Sequence, residues 1–180
     1  MLYAGIDYSM SCAAITIGSS KDFTKCKTFF YTTNKKFDGK FKHDIYGTLA
    51  FPYDHEIERF DNIAQWAMAV LKQFKVNEVC LEGYSMGSQG RIFAIAENTA
   101  LLKYNMWKND IQYHTPAPTA VKKDFSGKGN SNKDAMHTAF VDKTKISIAD
   151  LMNKKTDASP VSDIVDSYAM LCYGIDHYFK

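Results

Sequence analysis

The sequence predicts an α/β fold, a mixed five-stranded sheet flanked by helices. Three observations predict it. The chain opens with three short β-branched segments joined by brief connections, which pair as antiparallel neighbours. Helical and strand periods then alternate, the pattern of crossovers between parallel strands. The chain closes on a long helix with one apolar face.

The elements follow in order. Leu2 to Ser9 alternates Leu2, Ala4 and Ile6 and reads as a strand ending on Gly5-Ile6-Asp7. Cys12 to Gly18 is apolar and β-branched, and the link Tyr8 to Ser11 is short enough for a hairpin. Lys25 to Thr32 is the third strand. Asn34 to Asp54 has no clear period and mixes lysines with aromatics, so it reads as a loop or irregular insertion. His55 to Lys75 keeps helical spacing through Ile57, Phe60, Ile63, Ala67, Val70, Leu71 and Phe74. Glu78 to Glu82 is a short apolar strand ending on an acid, and Gly83 to Gly90 is a loop. A second helix runs from Ile92 through Met106, with Ile92 and Ile95 as candidates for a subunit contact. Ile111 to His114 is a strand closed by Pro116 and Pro118; Thr119 to Asp124 is a short helix. Phe125 to Asn132 is a polar loop, and Lys133 to Asp142 is helical. Ser159 is read as an N-cap with Pro160 at the first helical position, opening the final helix.

Composition narrows the function classes. The 180 residues are 46% hydrophobic and 23% charged, which excludes disorder and suits a single domain over 1–180 with an insertion near 34–54. No apolar run approaches the ~20 residues of a membrane span, and the start of the chain has no basic signal region. Cys12, Cys26, Cys80 and Cys172 form no C-x-x-C pair, so they read as free buried thiols. Of the 22 Lys and Arg residues only Arg59 and Arg91 are arginine. Lysine is a point charge suited to phosphate, so a nucleic acid bound here is read by shape and backbone.

Four carboxylates stand where chemistry wants them. Asp7 ends the first strand and Glu82 the fourth; Asp163 and Asp166 are three apart on the last helix and share a face. Clustered carboxylates repel unless cations neutralise them. Oxygen-only ligands suit Mg²⁺, with Mn²⁺ the close alternative. Two such ions ~3.5–4 Å apart clamp the attacking and leaving oxygens of a phosphodiester. Lys122, Lys123 and Lys128 flank a glycine-bearing loop before a helix start, where backbone N–H groups favour phosphate. That loop is not a P-loop, because Lys122 and Gly129 stand where Gly and Ser or Thr are needed. No nucleotide cofactor is expected.

In this pattern the sequence resembles the RuvC family of Holliday-junction resolvases, within the ribonuclease H-like superfamily. Gly5-Ile6-Asp7 resembles the family's first strand, Leu81-Glu82-Gly83-Tyr84 its second acid, and Ser162 to Ala169 its closing D-x-x-D helix. The resemblance implies a metal-dependent endonuclease that nicks opposing strands of a four-way DNA junction symmetrically. It implies a homodimer, with Asp7, Glu82, Asp163 and Asp166 as metal ligands and Lys133 stabilising charge on the scissile phosphate. Two departures stand out. The aromatic after the second acid comes early, so Tyr84 or Met86 takes the place of the base-stacking wedge. The stretch 34–54 is longer than is usual in the family, and its Lys35, Lys36, Lys40 and Lys42 suit backbone phosphate. Gln89 and Arg91 are further DNA candidates. The small size and lysine bias suggest a phage or viral member acting in the host cytoplasm. The alternatives are a flap nuclease, a ribonuclease on RNA–DNA hybrids using the same acids, and a non-catalytic junction-binding module.

Overall fold

In the computed structural model, which describes residues 1–83 and 92–180, one mixed sheet runs through the molecule. Its strands are β1 (Tyr3–Asp7), β2 (Ala14–Gly18), β3 (Lys27–Thr32), β4 (Gly39–Phe41), β5 (Ile45–Leu49), β6 (Glu78–Leu81) and β7 (Gln112–His114). Their order across the sheet is β4-β5-β3-β2-β1-β6-β7. β2 is antiparallel to both β1 and β3, while β6 runs parallel to β1 and β7 parallel to β6. β5 lies parallel to β3, and β4 returns antiparallel along β5. The strands that run with β1 therefore all end at one edge, the edge that carries Asp7.

The five expected strands are present, and the segment read as a loop adds two more, so the sheet has seven strands among the described residues. Ile45 is fully buried beneath this extension, and Tyr46 stacks on Phe29 of β3 with ring centroids 5.1 Å apart. A three-residue strand followed by a three-residue turn is too short to show a period of two, which is why the pattern was invisible in sequence. The β1–β2 link is also longer than a tight hairpin, because Cys12 and Ala13 stay buried outside the strands.

Helices cover both faces. α1 (Glu56–Gln73) and α2 (Ile92–Lys108) pack on one, where Ile6, Ile15 and Leu81 meet Ile63, Leu71 and Leu102. On the other lie α3 (Pro118–Ser126), α4 (Lys133–Thr144), α5 (Ile148–Met152) and α6 (Val161–His177). α5 has no counterpart in the sequence reading; one and a half turns carry too little apolar period to detect. Phe23, Phe125 and Phe140 set their edges against Tyr168 at the centre of this face. The four cysteines are buried free thiols. No described helix is long and apolar enough to cross a membrane.

α6 lies unusually close to the sheet. A Cβ on Gly5 would stand 2.1 Å from the backbone nitrogen of Leu171 and 2.2 Å from the carbonyl oxygen of Ser167. Only glycine at this point of β1 lets the helix backbone touch the strand. Contrary to the expectation from sequence, the first helical residue of α6 is Val161 rather than Pro160, and Ser159 is not its N-cap. Pro160 occupies that position with no side-chain cap.

Candidate active site

The acids are brought together by strand alternation and by the seating of α6. In β1, Ala4 and Ile6 face α1, so Gly5 and Asp7 face α6. In β6, Val79 and Leu81 face α1, so Cys80 and Glu82 face α6. β1 and β6 are in register with Ile6 opposite Leu81, and Glu82 N–H continues the ladder to the Ile6 carbonyl at 3.1 Å. Asp7 and Glu82 thus stand side by side on one face at one edge. Gly83 pins the strand end, donating to the Pro116 carbonyl at 3.1 Å, where a Cβ would come within 2.6 Å of that same oxygen. Asp163 and Asp166, one turn before the Gly5 contact, are carried to the same edge by α6.

Burial and mutual repulsion dominate the electrostatics. Desolvation, then the charges of Glu82, Asp163 and Asp166, push the Asp7 carboxyl well above the usual carboxylate range. Burial, then Asp166, raises Glu82. Burial raises Asp163, opposed by the Ser159 hydroxyl and by Lys133. Lys133, the first residue of α4, forms an ion pair with Asp166 Oδ2. Burial works to lower the Lys133 ammonium, but Asp166, Asp7 and Asp163 outweigh it and carry it up to about 12. One cation cannot balance four acids, and two buried carboxylate oxygens, Asp163 Oδ2 and Asp166 Oδ1, have no hydrogen-bond partner among the described residues. Orphaned buried oxygens of this kind mark a place for a ligand.

The donor set fits a hard divalent cation: all oxygen, buried and carrying excess negative charge. Among the described residues no three of these side chains close around one point as they stand.

The remaining candidates divide. Lys122, half-buried on α3, acts on Glu82 and draws its acidity back toward normal. Lys123 and Lys128 are exposed nearby on α3 and the loop after it. The N-terminus of α4 is partly self-satisfied, because Asn132 Oδ1 accepts from Ala135 N–H at 2.9 Å. Tyr84, Met86, Gln89 and Arg91 lie outside the described residues. Ile92 and Ile95 are half-buried rather than outward. The outward stripe of α2 is instead aromatic: Phe93 is 81% exposed, Trp107 69% and Tyr104 54%. Sequence reasoning missed these three because it followed the buried apolar period of the helix; their own spacing of 11 and 14 residues from Phe93 is the signal that marks a second face.

Several solved structures share this fold. Thermus thermophilus RuvC, solved in complex with Holliday junction substrate, matches with a TM-score of 0.65 at 14% identity, covering 98% of this chain and 96% of that one. Fowlpox virus resolvase, solved with substrate Holliday junction DNA, matches at TM-score 0.58 and 15% identity over 100% of both chains. The yeast mitochondrial Holliday junction resolvase Ydc2 matches at TM-score 0.52 and 14% identity, over 98% of this chain and 80% of that one. At such identities the likeness is one of fold. No protein-family model matches the chain, and no curated protein matches it.

Proposed function

We propose that this chain is a metal-dependent endonuclease that resolves four-way DNA junctions by paired, symmetric nicks. The observation that carries the reading is the edge cluster of buried Asp7 and Asp163 with half-buried Glu82 and Asp166, two of whose carboxylate oxygens have no partner among the described residues. The end-to-end likeness to two resolvases solved on junction DNA supports the substrate.

Asp7, Glu82, Asp163 and Asp166 would hold Mg²⁺ or Mn²⁺. When bound, such ions polarise the phosphodiester and make water a competent nucleophile at neutral pH. The chain's own residues do the rest. The four carboxylates would fix where such ions, and with them the scissile phosphate, stand at the sheet edge. The Lys133 ammonium, kept charged by its acidic neighbours, offsets negative charge gathering on the phosphate. Lys122 stands beside Glu82 to receive the adjoining backbone, with Lys123 and Lys128 further out.

Two symmetric nicks need two sites, and the exposed aromatic stripe of α2 suits a second copy of the chain. The 180 residues act as one nuclease domain in this reading.

The test is an end-labelled four-way junction incubated with the protein and Mg²⁺, or with chelator, beside a linear duplex and an RNA–DNA hybrid. Paired nicks on the junction alone, lost with chelator, are expected. Cutting of the hybrid instead moves the acids to a ribonuclease; binding without cutting under any metal overturns the enzyme reading.

A further inference from the structure

The four lysines of the 34–54 segment are split between two ends of the sheet. Lys40 and Lys42 lie toward the far end: Lys40 pairs with Asp44 at 3.3 Å, which also holds Lys27 at 3.3 Å. Lys35 and Lys36 lie in the 3-10 turn that follows β3, at the edge where β1 ends in Asp7. Asn34 Oδ1 accepts from Lys36 N–H at 3.0 Å and holds this turn. Both lysine side chains are exposed, and neither stands in an ion pair among the described residues.

A second lysine pair reaches the same place from the other end of the chain. The loop between α5 and α6 carries Lys154 and Lys155, both exposed. The Lys154 ammonium lies 5.7 Å from the ring centroid of Phe37, the residue next to Lys36. The same loop leads directly into the acid site. Its Thr156 hydroxyl bonds Asp134, beside Lys133, and Ser159 stands against Asp163. Of the acids in these segments, Asp38 Oδ1 accepts from Leu49 N–H at 3.2 Å, while Asp157 stays exposed. Four lysines outweigh these two carboxylates.

We propose that Lys35, Lys36, Lys154 and Lys155 form one cationic shelf that grips the phosphate backbone of a DNA arm beyond the strand being cut. The inference rests on the junction-nuclease reading and extends it to a surface formed by the turn after β3 and the loop between α5 and α6. The shelf begins two to three strands from β1, roughly 10–15 Å from Asp7 at ~4.8 Å per strand. At 3.4 Å of helix axis per base pair, that is about three to five base pairs from the scissile phosphate.

The test pairs a protein change with a DNA change. Junction affinity is measured by anisotropy for the wild-type chain and for the Lys35→Ala/Lys36→Ala/Lys154→Ala/Lys155→Ala variant. The DNA is either native or carries neutral methylphosphonate linkages about three to five base pairs from the cut. Wild type should bind the neutralised junction about tenfold more weakly than the native one, and the variant should bind both alike. The variant's affinity should also fall less steeply with salt, by about 0.9 in log–log slope for each contact removed. A Lys40→Ala/Lys42→Ala control should match wild type. A fourfold variant with wild-type affinity overturns the shelf, as does a control that weakens equally, since net charge would then explain the loss. A wild-type chain that binds no branched DNA fails at the earlier step and overturns the junction reading itself.

Discussion

Two polar clusters lie along the same seam between α6 and the sheet, and they are finished differently. In the middle of the seam the Ser167 hydroxyl bonds the Thr16 hydroxyl at 2.7 Å and the Ile164 carbonyl at 2.9 Å. Thr16 in turn bonds Thr28 at 3.1 Å, so all three buried hydroxyls are satisfied from within the chain. One turn toward the N-terminus, Asp163 is buried and Asp166 half-buried, yet each keeps a buried carboxylate oxygen without a partner among the described residues. A closed network holds structure, whereas an open one of like charge stores a demand for something from outside. The difference separates scaffold from site more sharply than burial does.

The sharpest way to break this comparison is to neutralise the open cluster. Asp7→Asn or Asp166→Asn should lower metal-dependent junction cleavage by about 10²–10³-fold or more while junction binding survives. In the absence of divalent metal, Asp7→Asn should also melt at a higher temperature than wild type, because it relieves repulsion. A variant that cuts at the wild-type rate removes that acid from the site.

Gly5→Ala tests the seam that seats both clusters. Its Cβ would overlap backbone of α6 at 2.1 Å and 2.2 Å, and backbone cannot swing aside. The expected cost is about 3 kcal/mol or more, read by denaturant unfolding, with loss of cleavage as α6 is displaced. Wild-type stability would show that the helix is not held against β1 as described.

The closed network should respond more mildly. Thr16→Val leaves the buried Thr28 hydroxyl without this partner and should cost about 1–3 kcal/mol, whereas Ser167→Ala leaves Thr16 still bonded to Thr28 and should cost about 1 kcal/mol. The double variant should cost less than their sum, because one lost bond is shared. Metal-dependent cleavage should persist in the folded fraction.

Acidity offers a gentler probe of both regions. Asp7, Glu82 and Asp163 are all raised in the folded chain, so the folded state holds more protons than the unfolded one. Their contribution to stability is present at low pH and lost as pH rises above about 4 through the folded values. Thermal midpoints without metal should reflect this, and added Mg²⁺ should restore stability most at neutral pH. His137 works in the opposite direction. Burial lowers it, and its Nε2 accepts from Ala149 N–H at 3.2 Å. Its contribution is present above about pH 6.5 and declines as pH falls. The gap in midpoint between wild type and His137→Gln should therefore narrow from pH 7.5 to 5.5.

Much of the site was legible because its parts obey local rules. Strand period placed Asp7 and Glu82 at strand ends, and helical spacing placed Asp163 and Asp166 on one face. Lys133 was read at a helix start, and it pairs with Asp166. Three features were illegible. β4 and β5 are held by pairing with β3 and with each other rather than by their own pattern. Pro160, not Ser159, is the N-cap of α6. The exposed Phe93, Tyr104 and Trp107 stand on a face of α2 that an apolar count cannot tell from its core face.

By itself, then, the sequence determined the α/β class, five of the seven described strands and the four acids with their positions on strand and helix, because these follow from periods of two and of about 3.6 residues. Only the tertiary structure decided that β1 and β6 stand in register and that α6 lies against Gly5. Only it brought Lys154 onto Phe37. Those are contacts between residues far apart in the chain, and no local period encodes which distant partner a surface will meet.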